Sequence, residues 1–345
     1  MDIVKFAIIG AGNIGNVHAR VIKESARMEL SAIVDKNDVA GNAFARNYEC
    51  NYYDSFDKMI KNEDISVVVL CTPSTTHAAI AMEAVNSGKH VIIEKPIDVN
   101  LQSIDALINA AESKGVKICT IFQHRFDEAV MKAKKAIDED KLGRLFFGAC
   151  HTKWFREQKY YKTGYGRGTW AFDGGGALMN QSIHYIDLLL YLMGDVSEVY
   201  GSCGTFAHTD IEVEDLGVAT LKFKNGGLGM IEGTTAAYPG LYTKLDIYGE
   251  KGSISICNDA LVWYKIIGMT TEEEENMLSK TEQKVGASDP MAFSIESHKR
   301  QYLNFLDSIE HSREPLVNGI EGRKSVKVVQ AIYESWRTNL PVRFK

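Results

Sequence analysis

Glu94-Lys95-Pro96 follows the apolar run His90-Val91-Ile92-Ile93, which has the composition of a buried parallel strand. A lysine at the carboxyl end of such a strand faces the crevice where open α/β sheets bind ligands. Pro96 has no N–H and drives the residue before it toward extended backbone, so Lys95 has little conformational freedom. An amine held there can serve as acid or base on a sugar-like alcohol, provided a redox cofactor lies beside it. Taken alone, Lys95 reads as a surface lysine closing a strand, and the rest of the chain decides between the two.

The second group is Asp173-Gly174-Gly175-Gly176, followed by Ala177 to Asp187. Three glycines let backbone come close to a ligand before a helix opens. Asn180 and His184 stand i,i+4 on one face of that helix, and Asp187 lies one turn further on, placed to orient the imidazole. Histidine titrates near neutrality and suits the transfer of a hydroxyl proton. A lone histidine reads as a packed core side chain; the triple glycine and Asn180 favour function here. Lys95 and His184 are the candidate catalytic residues. No metal is expected, because the six cysteines and nine histidines contain no C-x-x-C, no H-x-x-x-H and no cluster with ligand spacing. The scattered cysteines read as small buried hydrophobes.

Gly10-Ala11-Gly12-Asn13-Ile14-Gly15 is a G-x-G-x-x-G that follows the strand Phe6 to Ile9 and opens a helix. That context marks a dinucleotide site. Gly10 makes the tight turn, Gly12 lets backbone approach a pyrophosphate at the helix N-terminus, and Gly15 allows close helix–strand packing. Asp35 ends the second strand, where a carboxylate takes the adenosine ribose hydroxyls and repels a 2′-phosphate, so NAD is favoured over NADP. Lys36 beside it softens that preference. Thr72 and Pro73 leave the strand Val67 to Leu70 and line the nicotinamide half of the crevice. His77, near the following helix start, is grouped with them although packing is its favoured role. Glu94, Lys95 and Gln123 complete the cofactor set.

These residues need a scaffold. The first part of the chain alternates strand and helix in βαβ order to Phe122, the pattern of a doubly wound parallel sheet. From Leu145 on, after a helix over Glu128 to Asp138, strands follow one another with a single long helix, Ala177 to Leu192, among them. Asn225-Gly226-Gly227 is a hairpin signal between two of them. The expected fold class is therefore α/β: a Rossmann sheet, plus a C-terminal α+β domain with a large open, mostly antiparallel sheet. The expected domains are 1–123 and 124–345, with the C-terminal helices (Ile295 to Glu310, Glu321 to Arg337) free to pack back on the first. The free sheet face is an oligomer surface. The polar stretch Thr270 to Ser288 reads as an exposed, mobile loop.

The chain has 345 residues, 45% apolar and 24% charged, with a net charge of -6. Two domains fit that length. The mild acidic excess argues against nucleic acid or an anionic membrane as partner. No apolar run reaches a membrane span, and Met1 to Lys5 lead into a strand without a signal peptide, so a cytoplasmic location is expected.

The glycine fingerprint, Glu94-Lys95-Pro96 and the Gly174-Gly175-Gly176…His184…Asp187 helix together resemble the glucose–fructose oxidoreductase / inositol dehydrogenase / rhizopine-catabolism (Gfo/Idh/MocA) family over nearly the whole chain. The resemblance implies a Rossmann domain, a second domain with a large open sheet, oxidation of a ring hydroxyl in a sugar or cyclitol, and dimers or tetramers packed through the sheets. By position, Lys95 resembles the family's catalytic lysine and His184 its catalytic histidine. Asn180 stands where inositol-type members carry aspartate. An amide cannot take a proton, so Lys95 or His184 serves as base.

The stretch Lys153-Trp154-Phe155-Arg156, Tyr160-Tyr161 and Arg167-Gly168-Thr169-Trp170, with Leu178-Met179-Asn180-Gln181, resembles a narrower branch, the UDP-N-acetylglucosaminuronate 3-dehydrogenases. Arg156, Lys159 and Arg167 can meet a carboxylate or pyrophosphate, or form a solvated face. Tyr160, Tyr161 and Trp170 can be substrate platform or core. The substrate-binding set is Lys95, Arg156, Arg167, Trp170, Asn180 and His184. The expected function is NAD-dependent oxidation at C3 of a sugar or nucleotide sugar. An inositol or free-sugar dehydrogenase is the alternative within the class. An NAD-recycling glycosidase and a non-catalytic NAD or sugar sensor are the alternatives outside it.

Overall fold

A computed structural model of the chain describes residues 3–162, 166–278 and 295–344. They divide into two units. One takes in the residues up to Gln123 and those from Ile295 to Arg323; the other runs from His124 to Leu278 and resumes at Lys324.

The first unit alternates β1 (Val4–Ile9), α1 (Asn13–Lys23), β2 (Met28–Val34), α2 (Asp38–Tyr48), β3 (Asn51–Tyr53), α3 (Phe56–Asn62), β4 (Val67–Leu70), α4 (His77–Asn86), β5 (His90–Ile93), α5 (Leu101–Lys114) and β6 (Ile118–Thr120). The strands form one parallel sheet in the order β3-β2-β1-β4-β5-β6. That is the doubly wound order, with its switch point between β1 and β4. Every residue of β4 is fully buried, as helices on both faces require of a β-branched run. β6 ends at Thr120, two residues before the Phe122 at which the alternation is expected to close.

The second unit contains α6 (Glu128–Asp138), β7 (Leu145–Lys153), α7 (Gln158–Lys162), α8 (Trp170–Asp173), α9 (Ile183–Met193), β8 (Val196–Gly204), β9 (Leu216–Phe223), β10 (Leu228–Thr234), β11 (Thr243–Gly249), β12 (Gly252–Cys257), β13 (Ala260–Ile266) and α10 (Thr271–Met277). Of the closing helices, α11 (Glu296–Glu310) belongs to the first unit and α12 (Gly319–Thr338) passes into the second, where β14 (Val342–Arg343) ends the chain's regular structure. The eight strands are ordered β13-β12-β11-β7-β10-β9-β8-β14. Only β7 and β10 pair in parallel. Along β9, Ala219, Leu221 and Phe223 are buried while Val218, Thr220 and Lys222 are exposed, the alternation of a sheet with one covered face. The exposed face carries Phe146, Tyr200, Val218, Leu228, Met230, Tyr248 and Trp263. Asn225 to Gly227 close the β9–β10 hairpin, with the Phe223 N–H donating to the Gly227 carbonyl at 2.8 Å.

Two expectations are corrected. The helix expected over Ala177 to Leu192 opens as a π-helix over Ala177–Ser182 and becomes α-helical only at Ile183. The loop expected over Thr270 to Ser288 begins as α10, nucleated by a capping box: Glu273 N–H donates to the Thr270 hydroxyl and Thr270 N–H to the Glu273 carboxylate. Its acidic run stands in the first turn, where the helix dipole favours negative charge. The remainder of that stretch, from Ser279, lies outside the described residues. No helix among the described residues is long and apolar enough to cross a membrane. Cys71, Cys119, Cys150 and Cys203 are buried, Cys50 and Cys257 partly so.

Candidate active site

The three fingerprint glycines do different work. A Cβ on Gly10, whose φ is +110°, would stand 2.6 Å from the Cys71 carbonyl oxygen, and one on Gly15 would stand 2.2 Å from the Gly10 oxygen. Backbone occupies both places. A Cβ on Gly12 would meet nothing within 4 Å. Open space therefore lies over the start of α1, whose first turn, beginning at Asn13 and Ile14, has no side-chain cap and no acidic residue. A helix end of this kind is built for an anion. Asp35 is half-buried at the end of β2; its carboxylate accepts the Ala11 N–H at 2.7 Å and the Asn37 N–H at 2.8 Å. It thus fixes the glycine loop, and each oxygen keeps a lone pair for a ribose hydroxyl. The loop and the acid fit an adenine dinucleotide.

Lys95 is held through its neighbour. Its N–H donates to Glu94 Oε2 at 3.0 Å; Glu94 Oε1 lies 2.9 Å from His18 Nε2, and the Tyr302 hydroxyl 2.7 Å from His18 Nδ1. The chain Tyr302–His18–Glu94–Lys95 is satisfied throughout if His18 carries its proton on Nε2. All of it but Lys95 is buried. Burial works against the Glu94 charge, but His18 and Lys95 outweigh it and hold the carboxyl at about 2. The sequence placed Glu94 in the cofactor set; its side chain here anchors the Lys95 backbone. The Lys95–Pro96 bond is cis.

His77 is a second clamp. Nδ1 lies 2.8 Å from the Pro96 carbonyl and Nε2 2.8 Å from the Thr72 carbonyl, so the ring ties the loop after β4 to the loop after β5. Burial pushes its pKa down, although both carbonyls favour the protonated ring. Thr72 receives the Thr76 hydroxyl at 2.9 Å, and Pro73 precedes the turn Ser74–Thr76. Gln123 Oε1 is buried with no donor among the described residues.

In the second unit, the backbone closeness expected of the triple glycine is made to protein. A Cβ on Gly176 would stand 1.9 Å from the Glu214 carbonyl oxygen. The Glu214 carboxylate takes the N–H groups of Gly176 (2.9 Å) and Leu178 (2.8 Å) and the Tyr333 hydroxyl (2.8 Å). Glu214 therefore caps the π-turn that carries Asn180. Burial raises its pKa, with these three donors pulling the other way. Asp187, expected to orient His184, receives Arg125 Nε at 2.8 Å and Nη2 at 2.7 Å, a buried two-pronged pair matched to the guanidinium fork. The His184 ring meets His124 in a T-shaped contact, with centroids 5.1 Å apart.

Arg156 and Arg167 share one aromatic ring. Their guanidinium carbons stand 5.5 and 4.3 Å from the Tyr160 centroid. Arg156 Nη2 donates to Gln181 Oε1 at 3.0 Å, and Gln181 Nε2 to the Tyr160 hydroxyl at 3.1 Å. Gln181 follows Asn180, so the arginine pair and the π-turn are one assembly. Arg156 is buried; burial lowers its pKa and the Arg167 charge adds to this, while Tyr160 and Tyr161 oppose. Its carbonyl is fixed by His208 Nε2 at 2.7 Å, and His208 Nδ1 by Asp215 at 3.0 Å. Asp215 also accepts the N–H groups of Phe206, Ala207 and His208. Trp170 packs edge-on against Tyr333 (5.2 Å) beneath Arg337. Lys159 is exposed and paired with Glu157.

Residues 4–122 match the oxidoreductase family profile described as an NAD-binding Rossmann fold, and residues 130–255 match the GFO/IDH/MocA C-terminal domain. The chain belongs to the Gfo/Idh/MocA family. It is an NAD-dependent oxidoreductase of that family. A myo-inositol 2-dehydrogenase of Thermotoga maritima is 25% identical over 352 residues, covering 99% of each chain. An inositol 2-dehydrogenase of Rhizobium meliloti is 24% identical over 347 residues, covering 96% of each. Among solved structures, the WlbA dehydrogenase of Bordetella pertussis, in complex with NADH and UDP-GlcNAcA, is 30% identical with a TM-score of 0.88, covering 99% of each chain.

Proposed function

We propose that the chain uses NAD to oxidise the C3 hydroxyl of an acidic nucleotide sugar of the UDP-N-acetylglucosaminuronate type. One observation carries the substrate class: two guanidiniums gathered on Tyr160 and joined through Gln181 to the π-turn. Like charges collected at one ring suit an anion, and a carboxylate or pyrophosphate matches their fork geometry. The likeness to the Bordetella enzyme, crystallised with UDP-GlcNAcA, supports the same reading.

NAD, when bound, supplies the hydride acceptor. Gly12 and the start of α1 hold its pyrophosphate, Asp35 its ribose hydroxyls, and Thr72, Pro73 and Gln123 line the nicotinamide end. His184 takes the hydroxyl proton, and Lys95 in its charged form steadies the developing alkoxide. Asn180 donates or accepts a hydrogen bond without taking a proton. Asp35 favours NAD over NADP.

A second reading, oxidation of an inositol or free sugar, draws on the full-length likeness to the two inositol dehydrogenases. NADH formation measured with UDP-N-acetylglucosaminuronate, UDP-N-acetylglucosamine, inositols and monosaccharides separates the two. The acidic nucleotide sugar should exceed its neutral counterpart in kcat/KM by about tenfold or more, the worth of one charge-assisted bond. Equal or faster turnover of inositols would replace the first reading by the second. The apolar open face of the eight-stranded sheet supports self-association into a dimer or tetramer.

A further inference from the structure

His184 has a neighbour that lies outside the motifs. His124 stands in the short turn Gln123–Phe126, just before α6. Its Nδ1 lies 2.6 Å from Asp127 Oδ2 and 3.4 Å from Asp259 Oδ1. Asp127 is the N-cap residue of α6, yet its side chain makes no cap bond. The commonest use of an N-cap aspartate is given up in favour of the imidazole. Asp259 sits with Asn258 in the β12–β13 turn, both at positive φ, and accepts the Tyr185 hydroxyl at 2.8 Å, which in turn receives the Thr243 hydroxyl at 2.7 Å. The separation of 2.6 Å is that of a shared proton, closer than two ligands stand around one tetrahedral zinc with bonds of about 2.1 Å. From α9, His124 faces His184, Tyr185 and Asp187, the last already neutralised by Arg125.

We propose that His124 is a positioning residue for the reaction: it holds a fixed positive charge beside the His184 ring, offsetting the carboxylates of Asp127 and Asp259, and so favours the uncharged, proton-accepting form of His184. The proposal rests on the reading of His184 as the base. Burial opposes the charge on His124, but Asp259 and Asp127 outweigh it and raise the pKa to about 9. An imidazolium beside a second imidazole disfavours protonation of the second. The base is then available at lower pH than it would be beside the two carboxylates without the His124 charge.

The test is a titration of the histidine ring protons by NMR on the full-length protein without substrate. In His124→Gln the positive charge goes and both aspartates stay, so the His184 midpoint should rise by about one pH unit; His124→Arg should restore it. Asp259→Asn covers the case in which the first variant fails to fold, since asparagine tolerates positive φ as aspartate does. There the His124 midpoint should fall by about one unit or more. An unmoved His184 midpoint in folded His124→Gln, or an unmoved His124 midpoint in Asp259→Asn, overturns the proposal. Because the titration needs no substrate, a failed turnover screen leaves it readable. Where turnover is found, the acid limb of kcat/KM should move up in His124→Gln by the same amount, whereas a merely structural role lowers kcat and leaves the limb in place.

Discussion

His18 Nε2 and Glu94 Oε1 lie 2.9 Å apart although the two residues are 76 positions apart in the sequence. The contact joins the first helix of the nucleotide fold to the tip of β5, and through Glu94 it fixes the Lys95 backbone. A carboxyl held at about 2 in the folded state stabilises the protein above its ordinary value near 4.3, and that contribution is lost as pH falls toward 2. The size is on the order of 3 kcal/mol. Urea unfolding between pH 5 and 2 should show a loss in the wild type that exceeds the loss in Glu94→Gln by about that amount. Identical pH dependence in both would remove the role given to this pair.

Gly12 and Gly15 should fail differently. Gly15→Ala puts a Cβ against backbone and should lower the unfolding temperature. Gly12→Ala meets open space and should fold normally, but its methyl group stands where a pyrophosphate approaches. Fluorescence titration should show NADH affinity reduced by about tenfold or more with the melting temperature unchanged. Unaltered affinity would mean the dinucleotide does not use this helix end.

How much of this was legible in the sequence follows from range. Gly10 to Gly15 and Asp35 are local or nearly so, and strand, glycines and helix were readable together. The succession of strands after Leu145 announced a mostly antiparallel sheet with one free face. Glu214 and His18 were not readable, because each acts on a partner that only tertiary folding brings near: Glu214 reaches Gly176 across 38 positions. The triple glycine was legible as a close approach, but what approaches is the Glu214 carbonyl. Two misses had signals. Thr270-x-x-Glu273 is a capping box that marks the start of α10, and Asn258-Asp259 is a hairpin turn that announces β13.

Arg167 is the more exposed of the two guanidiniums on Tyr160, so its removal should leave the fold intact. Arg167→Ala should raise KM for an acidic nucleotide sugar by about ten- to a hundredfold, the worth of a charge-assisted bond, with a smaller change in kcat. KM for a neutral sugar should hardly move. Equal effects on both would assign Arg167 to packing.

The exposed face of the large sheet carries Leu228 and Met230 side by side on β10, 55% and 37% exposed. If that face joins copies of the chain, light scattering should find a dimer or tetramer in the wild type and a smaller particle in Leu228→Glu/Met230→Glu, since two buried charges without partners are not tolerated in an interface. A monomeric wild type would end the proposal.

Lys95→Met tests the central claim most directly, because it removes the amine and keeps the length of the side chain. Measured together, NADH binding and NADH formation with the best substrate should separate: binding within about twofold of wild type, and turnover reduced by about a thousandfold or more. Turnover within a few-fold of wild type would show that the amine at the tip of β5 takes no part in the chemistry.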